Sequence, residues 1–333
     1  MTLIPTLKPS LLLGALFVSW SSVAIASPAF KICALYPHLK DSYWLSVNYG
    51  MVQEAKAQNV TLKVLEAGGY PNQSKQAAQL QRCRDWQADA ILLGTVAPDI
   101  YLGKLAQLSA DIPVFATINQ LDSAEHGDDV LLGEVGVDWY EMGYFSGEFL
   151  AKRHPKGSGH VNVAVLPGPV ASGGTKPVMQ GIEAAIKGSD VTITGVHWAD
   201  NDKELQRNLV QRVTENRDIH YLIGSAVAIE AAISELRLGG KSAQIGLVST
   251  YLSHGVYRGL LRNKVLFAPS DQMVLQGRLS VRQAVQSLKQ APFDRHIAPD
   301  IVKLTPNHLP RSVIEASLSP SEYRPIFNVL AKE

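Results

Sequence analysis

Apolar residues along this chain come in short unbroken runs, separated by longer stretches in which they recur at helical spacing. FKICALYP, VTLKVLEAG, ADAILLGTV and IPVFATIN read as strands, with helices expected over 45–58, 74–86 and 100–109 between them. VLLGEVGVD, HVNVAVLPG, VTITGVHWA, IHYLIGS, AQIGLVSTY and KVLFAPS continue the series. Helices are expected after them over 140–153, 176–186, 202–215, 226–236, 253–262 and 274–288. The strand runs do not alternate apolar with polar, as expected when helices cover both faces of a parallel sheet. The pattern therefore predicts doubly wound parallel α/β layers. It repeats with the same grammar in two halves, with no exact repeat or low-complexity linker between them.

Length agrees: 333 residues suit two domains better than one. The formal net charge of +1 carries no concentrated basic stripe, which argues against nucleic acid as the partner. At the N-terminus, Lys8 precedes LLLGALFVSW, and Ala24-Ile25-Ala26 follows with the small residues a signal peptidase accepts. The expectation is a secretory signal peptide over 1–26, cleaved near Ala26; the alternative is an uncleaved anchor, since Pro9 and a single basic residue make a weak leading region. No later segment is apolar enough to span a bilayer. Export would put Cys33 and Cys83 in an oxidising compartment. A late helix position returns to the level of a strand start, so a disulfide is geometrically open to them; two buried thiols are the alternative, and spacing does not choose.

Ligands of such sheets bind beyond the carboxyl ends of the strands. Those positions are unusually aromatic here. The first turn holds Asp41, Ser42, Tyr43 and Trp44; AGGYPNQS holds Tyr70; Trp139 opens the first long helix of the second half; Tyr251 follows IGLVST; Asp271 follows FAPS. Turn tips usually face water, so five large rings at one edge point to the wall of a site. Signatures of catalysis are weak. PGPVASGGT lacks the G-K-[ST] of a phosphate loop, GGYPNQS is no dinucleotide fingerprint, and nothing resembles G-x-S-x-G. The nine histidines are dispersed without ligand spacing, so no metal is expected, and His254 reads as structural. No cofactor or catalytic residue is expected.

VGVDWYEMGYFSGEFLAK and YRGLLRNKVLFAPSDQMVLQGRLSVRQAV resemble the type I periplasmic binding proteins, over nearly the whole chain after the leader. CALYPHLKDSYWLSVNYGM, LKVLEAGGY, ADAILLGT, YLSHGVYRG and SDQM resemble, within that family, members that bind trimethylamine N-oxide (TMAO) and work with a sensor histidine kinase. The resemblance implies two lobes joined by three crossings with ligand between them. Lobe one would be 30–133 plus 271–297 and lobe two 134–270 plus 298–316, with a tail over 317–333 packing across them. It further implies a periplasmic, non-enzymatic TMAO sensor partnered with the periplasmic domain of a kinase.

TMAO carries three methyls on a cationic nitrogen and one anionic oxygen. Aromatic faces suit the onium group, at roughly 0.5–2 kcal/mol each, and the oxygen needs a donor. Asp41, Tyr43, Trp44, Tyr70, Trp139, Tyr251 and Asp271 are the expected ligand-binding residues. The competing expectation is a sugar or onium binder feeding a membrane importer. Sugar-binding members often carry an Asp-Arg pair after the fourth strand, but TINQLDS has no Arg, and PGPVASGGTK offers only Lys176.

Overall fold

The computed structural model describes residues 1–2, 29–122, 129–216 and 218–332. The expected leader, apart from its first two residues, and its cleavage site lie outside them. Among the described residues, no helix is long and apolar enough to cross a membrane.

The chain opens with β1 (Lys31–Tyr36), α1 (Ser42–Ala57), β2 (Thr61–Glu66), α2 (Gln73–Asp85), β3 (Ala90–Leu93), α3 (Leu105–Ser109), β4 (Val114–Thr117) and β5 (Leu131–Val135). It continues with α4 (Trp139–Arg153), β6 (Val161–Gly168), α5 (Thr175–Ile186), β7 (Val191–Trp198), α6 (Lys203–Thr214), β8 (Tyr221–Gly224), α7 (Ala226–Leu238), β9 (Gly246–Ser249), α8 (His254–Leu261) and β10 (Ala268–Ser270). Then come α9 (Met273–Leu288), β11 (His296–Ile297), β12 (Val302–Leu304), α10 (Arg311–Ser317) and β13 (Asn328–Val329).

Two main sheets result. The first runs β11-β5-β4-β3-β1-β2-β13 and the second β7-β6-β8-β9, while β10 and β12 form a short antiparallel pair. Phe267, just ahead of β10, bridges to Val248 of β9, so the pair extends the second sheet. Pairing within both main sheets is parallel, except where β13 runs antiparallel along β2. Strand β1 shows why its apolar run does not alternate. Ile32, Ala34 and Tyr36 join the core under α1 and α9, while Cys33 and Leu35 face Leu80, Cys83 and Leu105 on the other side. Both faces are buried, so every position is apolar.

The chain passes between the sheets after β5, after β10 and after β11. The first passage differs from expectation: Glu134 and Val135 still pair with Ala116 and Thr117, so it falls after Val135 rather than after residue 133. The helix expected from residue 100 also shrinks to Leu105–Ser109, since Gly103 takes a left-handed backbone (φ 66°) that interrupts the turn before it.

The C-terminal segment lies on the first lobe. Asn48 of α1, fully buried, accepts hydrogen bonds from the Tyr323 hydroxyl (2.7 Å) and the Ile326 amide (3.0 Å), and donates to the Ile326 carbonyl (3.0 Å). Phe327 contributes its backbone carbonyl to Val64 of β2, and its ring is partly exposed. The segment thus covers an otherwise open sheet edge.

Cys33 of β1 and Cys83 of α2 form a disulfide with Cα atoms 5.8 Å apart. It ties strand to helix inside the buried layer described above. Replacing both with alanine should lower stability by up to about 4 kcal/mol, the chain-entropy value for a loop closed across 50 residues. Urea unfolding of the oxidised protein checks this; coincident curves for parent and double variant would contradict it.

Candidate functional site

A cavity of about 40 Å³ lies between the two lobes. Most groups lining it follow a strand end or open a helix: Asp41, Tyr43 and Trp44 after β1, Tyr70 after β2, Asn119 after β4, Trp139 at the start of α4, Asn201 after β7, Thr250 and Tyr251 after β9; Pro167 of β6 and the segment from Ser172 to Val178 of α5 complete the wall. Six of the seven residues expected from sequence therefore come together. Asp271 is the exception. It is fully buried behind Tyr43 and does not line the cavity.

Local structure explains how the rings are held. Asp41 caps α1, its carboxylate accepting the Trp44 amide hydrogen at 3.1 Å, so Tyr43 and Trp44 leave the first helical turn in a fixed direction. Asp138 caps α4 the same way and launches Trp139. Tyr43 sits between the lobes. Its ring centroid lies 6.0 Å from Trp44, 6.4 Å from Trp139 and 5.2 Å from Tyr251, mostly edge to face. Trp139 meets Tyr251 at 6.4 Å and 89°. Such pairs contribute about 0.5–1.5 kcal/mol beyond their buried area. Each indole also rests on a glycine. A Cβ on Gly94 would stand 2.5 Å from Trp44, and one on Gly174 2.8 Å from Trp139. Any side chain at either position would push the ring out of place.

The polar atoms divide into committed and free. The Trp139 indole nitrogen donates to the Ile118 carbonyl at 3.2 Å, and the Tyr43 hydroxyl donates to Asp271 at 2.5 Å. The hydroxyls of Tyr70 and Tyr251 instead accept, from Asn119 Nδ2 at 3.4 Å and Asn201 Nδ2 at 3.3 Å. Among the described residues neither hydroxyl hydrogen has an acceptor, so both are available to the cavity. Burial pushes the Tyr70 phenol up to about 12, with the hydrogen bond from Asn119 and the nearby Trp44 side chain pulling the other way and the Asp41 charge adding to the rise. Burial likewise raises Tyr251 well above its usual value, and Asp41 and Tyr70 raise it further. Both therefore stay protonated donors at neutral pH. Asp41 lines the same cavity as both phenols.

Asn119 and Asn201 were not singled out from sequence, although both stand at carboxyl ends of strands. Their neighbourhood carries strain. Ile118 is a buried β-branched residue with φ 68°, in a three-residue turn closed by the Asn119 amide on the Thr117 carbonyl at 2.7 Å. Such a conformation costs on the order of 1–3 kcal/mol. It aims the Ile118 carbonyl at Trp139 and brings Asn119 under Tyr70, where its Nδ2 also donates to the Thr95 carbonyl at 2.7 Å.

The chain matches the family of periplasmic binding proteins and sugar-binding domains of the LacI family over residues 29–320, and it belongs to that family. Periplasmic protein TorT of Escherichia coli strain K12 is 44% identical over 307 residues, 91% of this chain and 85% of that protein. The crystal structure of the TorS sensor domain–TorT complex in the presence of TMAO is similar with a TM-score of 0.85 and 63% identity, covering 90% of this chain and 99% of that one. An ABC transporter solute-binding protein from Bradyrhizobium sp. BTAi1 with bound bis-tris is 33% identical with a TM-score of 0.75, over 91% of this chain and 90% of that one.

Burial raises the Asp271 carboxyl above its usual range, against the lowering effect of hydrogen bonds from Tyr43 and Gln276. A group whose folded value is raised favours folding fully below its unfolded value, and that contribution is lost as pH rises through the folded one. Asp271→Asn, which mimics the protonated acid, should therefore be neutral or stabilising at pH 7 and flatten the pH dependence above the usual carboxylate range. Tyr43→Phe removes a donor from a buried acid and should destabilise by about 1–3 kcal/mol, less when combined with Asp271→Asn. Denaturant titrations across pH 4–8 check both signs; a strongly destabilised Asp271→Asn at neutral pH would contradict the assignment.

Proposed function

We propose that this chain is a periplasmic binding protein that senses TMAO and presents its ligand state to the periplasmic domain of a TorS-like histidine kinase. The observation that carries the reading is the cavity itself: four packed rings, two free phenol donors and a carboxylate around a very small space. Asp41, Tyr43, Trp44, Tyr70, Trp139 and Tyr251 hold the ligand, with Asp271 fixing Tyr43 from behind. The methyls lie on the faces of Tyr43, Trp44, Trp139 and Tyr251. The oxygen takes the hydroxyl hydrogens of Tyr70 and Tyr251. Asp41 faces the cationic nitrogen. Nothing in this arrangement calls for a nucleophile, a metal or a cofactor, and the protein is read as a binder, as its family relatives are.

Size supports the same ligand. The cavity, about 40 Å³, suits a small ligand and is tight for a sugar ring. The importer alternative shares the fold, and fold alone does not decide between them. The identity to TorT, whose solved complex contains a TorS sensor domain, favours the sensor. The lobe limits are read as 29–135 with 271–297 and 136–270 with 298–316, and the tail belongs to lobe one.

Calorimetry against TMAO, trimethylamine, betaine and ribose tests the reading. TMAO should bind best, and Tyr70→Phe and Tyr251→Phe should each weaken it roughly 10- to 100-fold, the loss of one hydrogen bond to a charged oxygen. Trimethylamine, which lacks the oxygen, should be nearly indifferent to those substitutions. Preference for ribose would overturn the assignment.

A further inference from the structure

We propose that the outer face of α7 and α8, on lobe two, is the surface that docks an acidic face of the sensor domain; the inference rests on the sensor reading above. A groove of about 320 Å³ runs along this face, lined by Arg237, Arg258, Arg262 and Lys264. All four side chains are exposed, and none has an ion-pair partner among the described residues. The one acid lining the groove, Glu230, is engaged by the Ser253 hydroxyl at 2.5 Å. Two large apolar side chains stand beside these cations in sequence, Leu238 (70% exposed) and Leu261 (55% exposed). Arginine flanked by exposed apolar groups is the composition of a protein interface. Four cations against one acid leave the groove with a positive excess, which selects a partner of opposite charge.

The face is also rigid and tied to the ligand. Gly255 and Gly259 let α8 lie directly against α7, since a Cβ would meet Glu230 at 2.4 Å in one case and Ile233 at 3.0 Å in the other. Helix α8 is capped by Ser253, two residues after cavity-lining Tyr251, and the His254 amide donates across the cleft to Ser42 Oγ of lobe one at 3.2 Å. Arg258 belongs to three grooves at once. One is the basic groove. The second runs beside Lys40, Asp41 and Ser42, and the third beside Tyr49 and Arg278. A partner gripping Arg258 therefore touches the seam where the lobes meet, and its affinity depends on whether ligand holds them together.

The test uses the whole chain with the periplasmic domain of its cognate kinase, by calorimetry, with and without TMAO. The parent should bind that domain, more weakly at high salt. Arg237→Glu with Arg258→Glu, Arg262→Glu and Lys264→Glu should lose at least about 30-fold in that affinity, while TMAO affinity stays within about twofold and reports that the variant is folded. Equal sensor binding by parent and fourfold variant overturns the docking face and leaves the sensor reading standing. A parent that binds TMAO but never the sensor domain overturns both. Capture of the parent, but not the variant, by vesicles rich in anionic phospholipid, with no charge effect on the sensor, would assign the face to a membrane and overturn the proposal.

Discussion

Tyr43 is the point at which the two lobes and the cavity between them meet. Its ring packs on Trp44 from its own lobe and on Trp139 and Tyr251 from the other. Its hydroxyl is held by Asp271, at the second passage between the sheets. A single side chain therefore contacts both lobes and lines the cavity. The buried Asp271 Oδ1 has no partner among the described residues, which is why burial outweighs the donors that favour its charge. The other supports are backbone features: Gly94 and Gly174 under the indoles, and the strained turn at Ile118 behind Trp139. Rigid walls matter because a small ligand gives little free energy with which to order them.

That limit can be put in numbers. The best very small ligands gain about 1.5 kcal/mol per non-hydrogen atom. TMAO has five such atoms, so its whole binding free energy is bounded near roughly 7–8 kcal/mol, about micromolar affinity. A ligand can shift a conformational equilibrium only by its differential affinity for the two states. The lobes must then be close to balanced without it. The inter-lobe contacts of Tyr43 and of Ser42 with His254 fit that requirement. They join the lobes through packed rings and a few hydrogen bonds, His254 to Ser42 and Trp139 to Ile118 among them.

Much of this was legible in the sequence, for reasons that differ by element. Strand β1 was clear because burial on both faces demands the unbroken run ICALY. The six cavity residues were legible because parallel sheets collect their strand ends at one edge, where Tyr43, Trp44, Tyr70, Trp139 and Tyr251 are conspicuous. Asp271, expected among the ligand-binding residues, lies behind Tyr43 rather than on the cavity wall, since sequence does not show which of two adjacent polar groups stands in front. Asn119 and Asn201 were missed because a lone asparagine after a strand looks like any turn residue; their importance comes from the phenols they meet in space. Gly94 and Gly174 were unreadable for the same reason. The first passage falls two residues later than expected because Glu134, near the end of β5, is exposed, and nothing local marks which sheet such a residue joins.

The most direct measurement is a crystal structure of this chain grown with TMAO. The account predicts the oxygen within about 2.6–3.0 Å of the Tyr70 and Tyr251 hydroxyls, the methyls on the faces of Tyr43, Trp44, Trp139 and Tyr251, and Asp41 on the side of the nitrogen. An oxygen bonded elsewhere with both phenols unengaged, or a ligand outside the ring cluster, would contradict it.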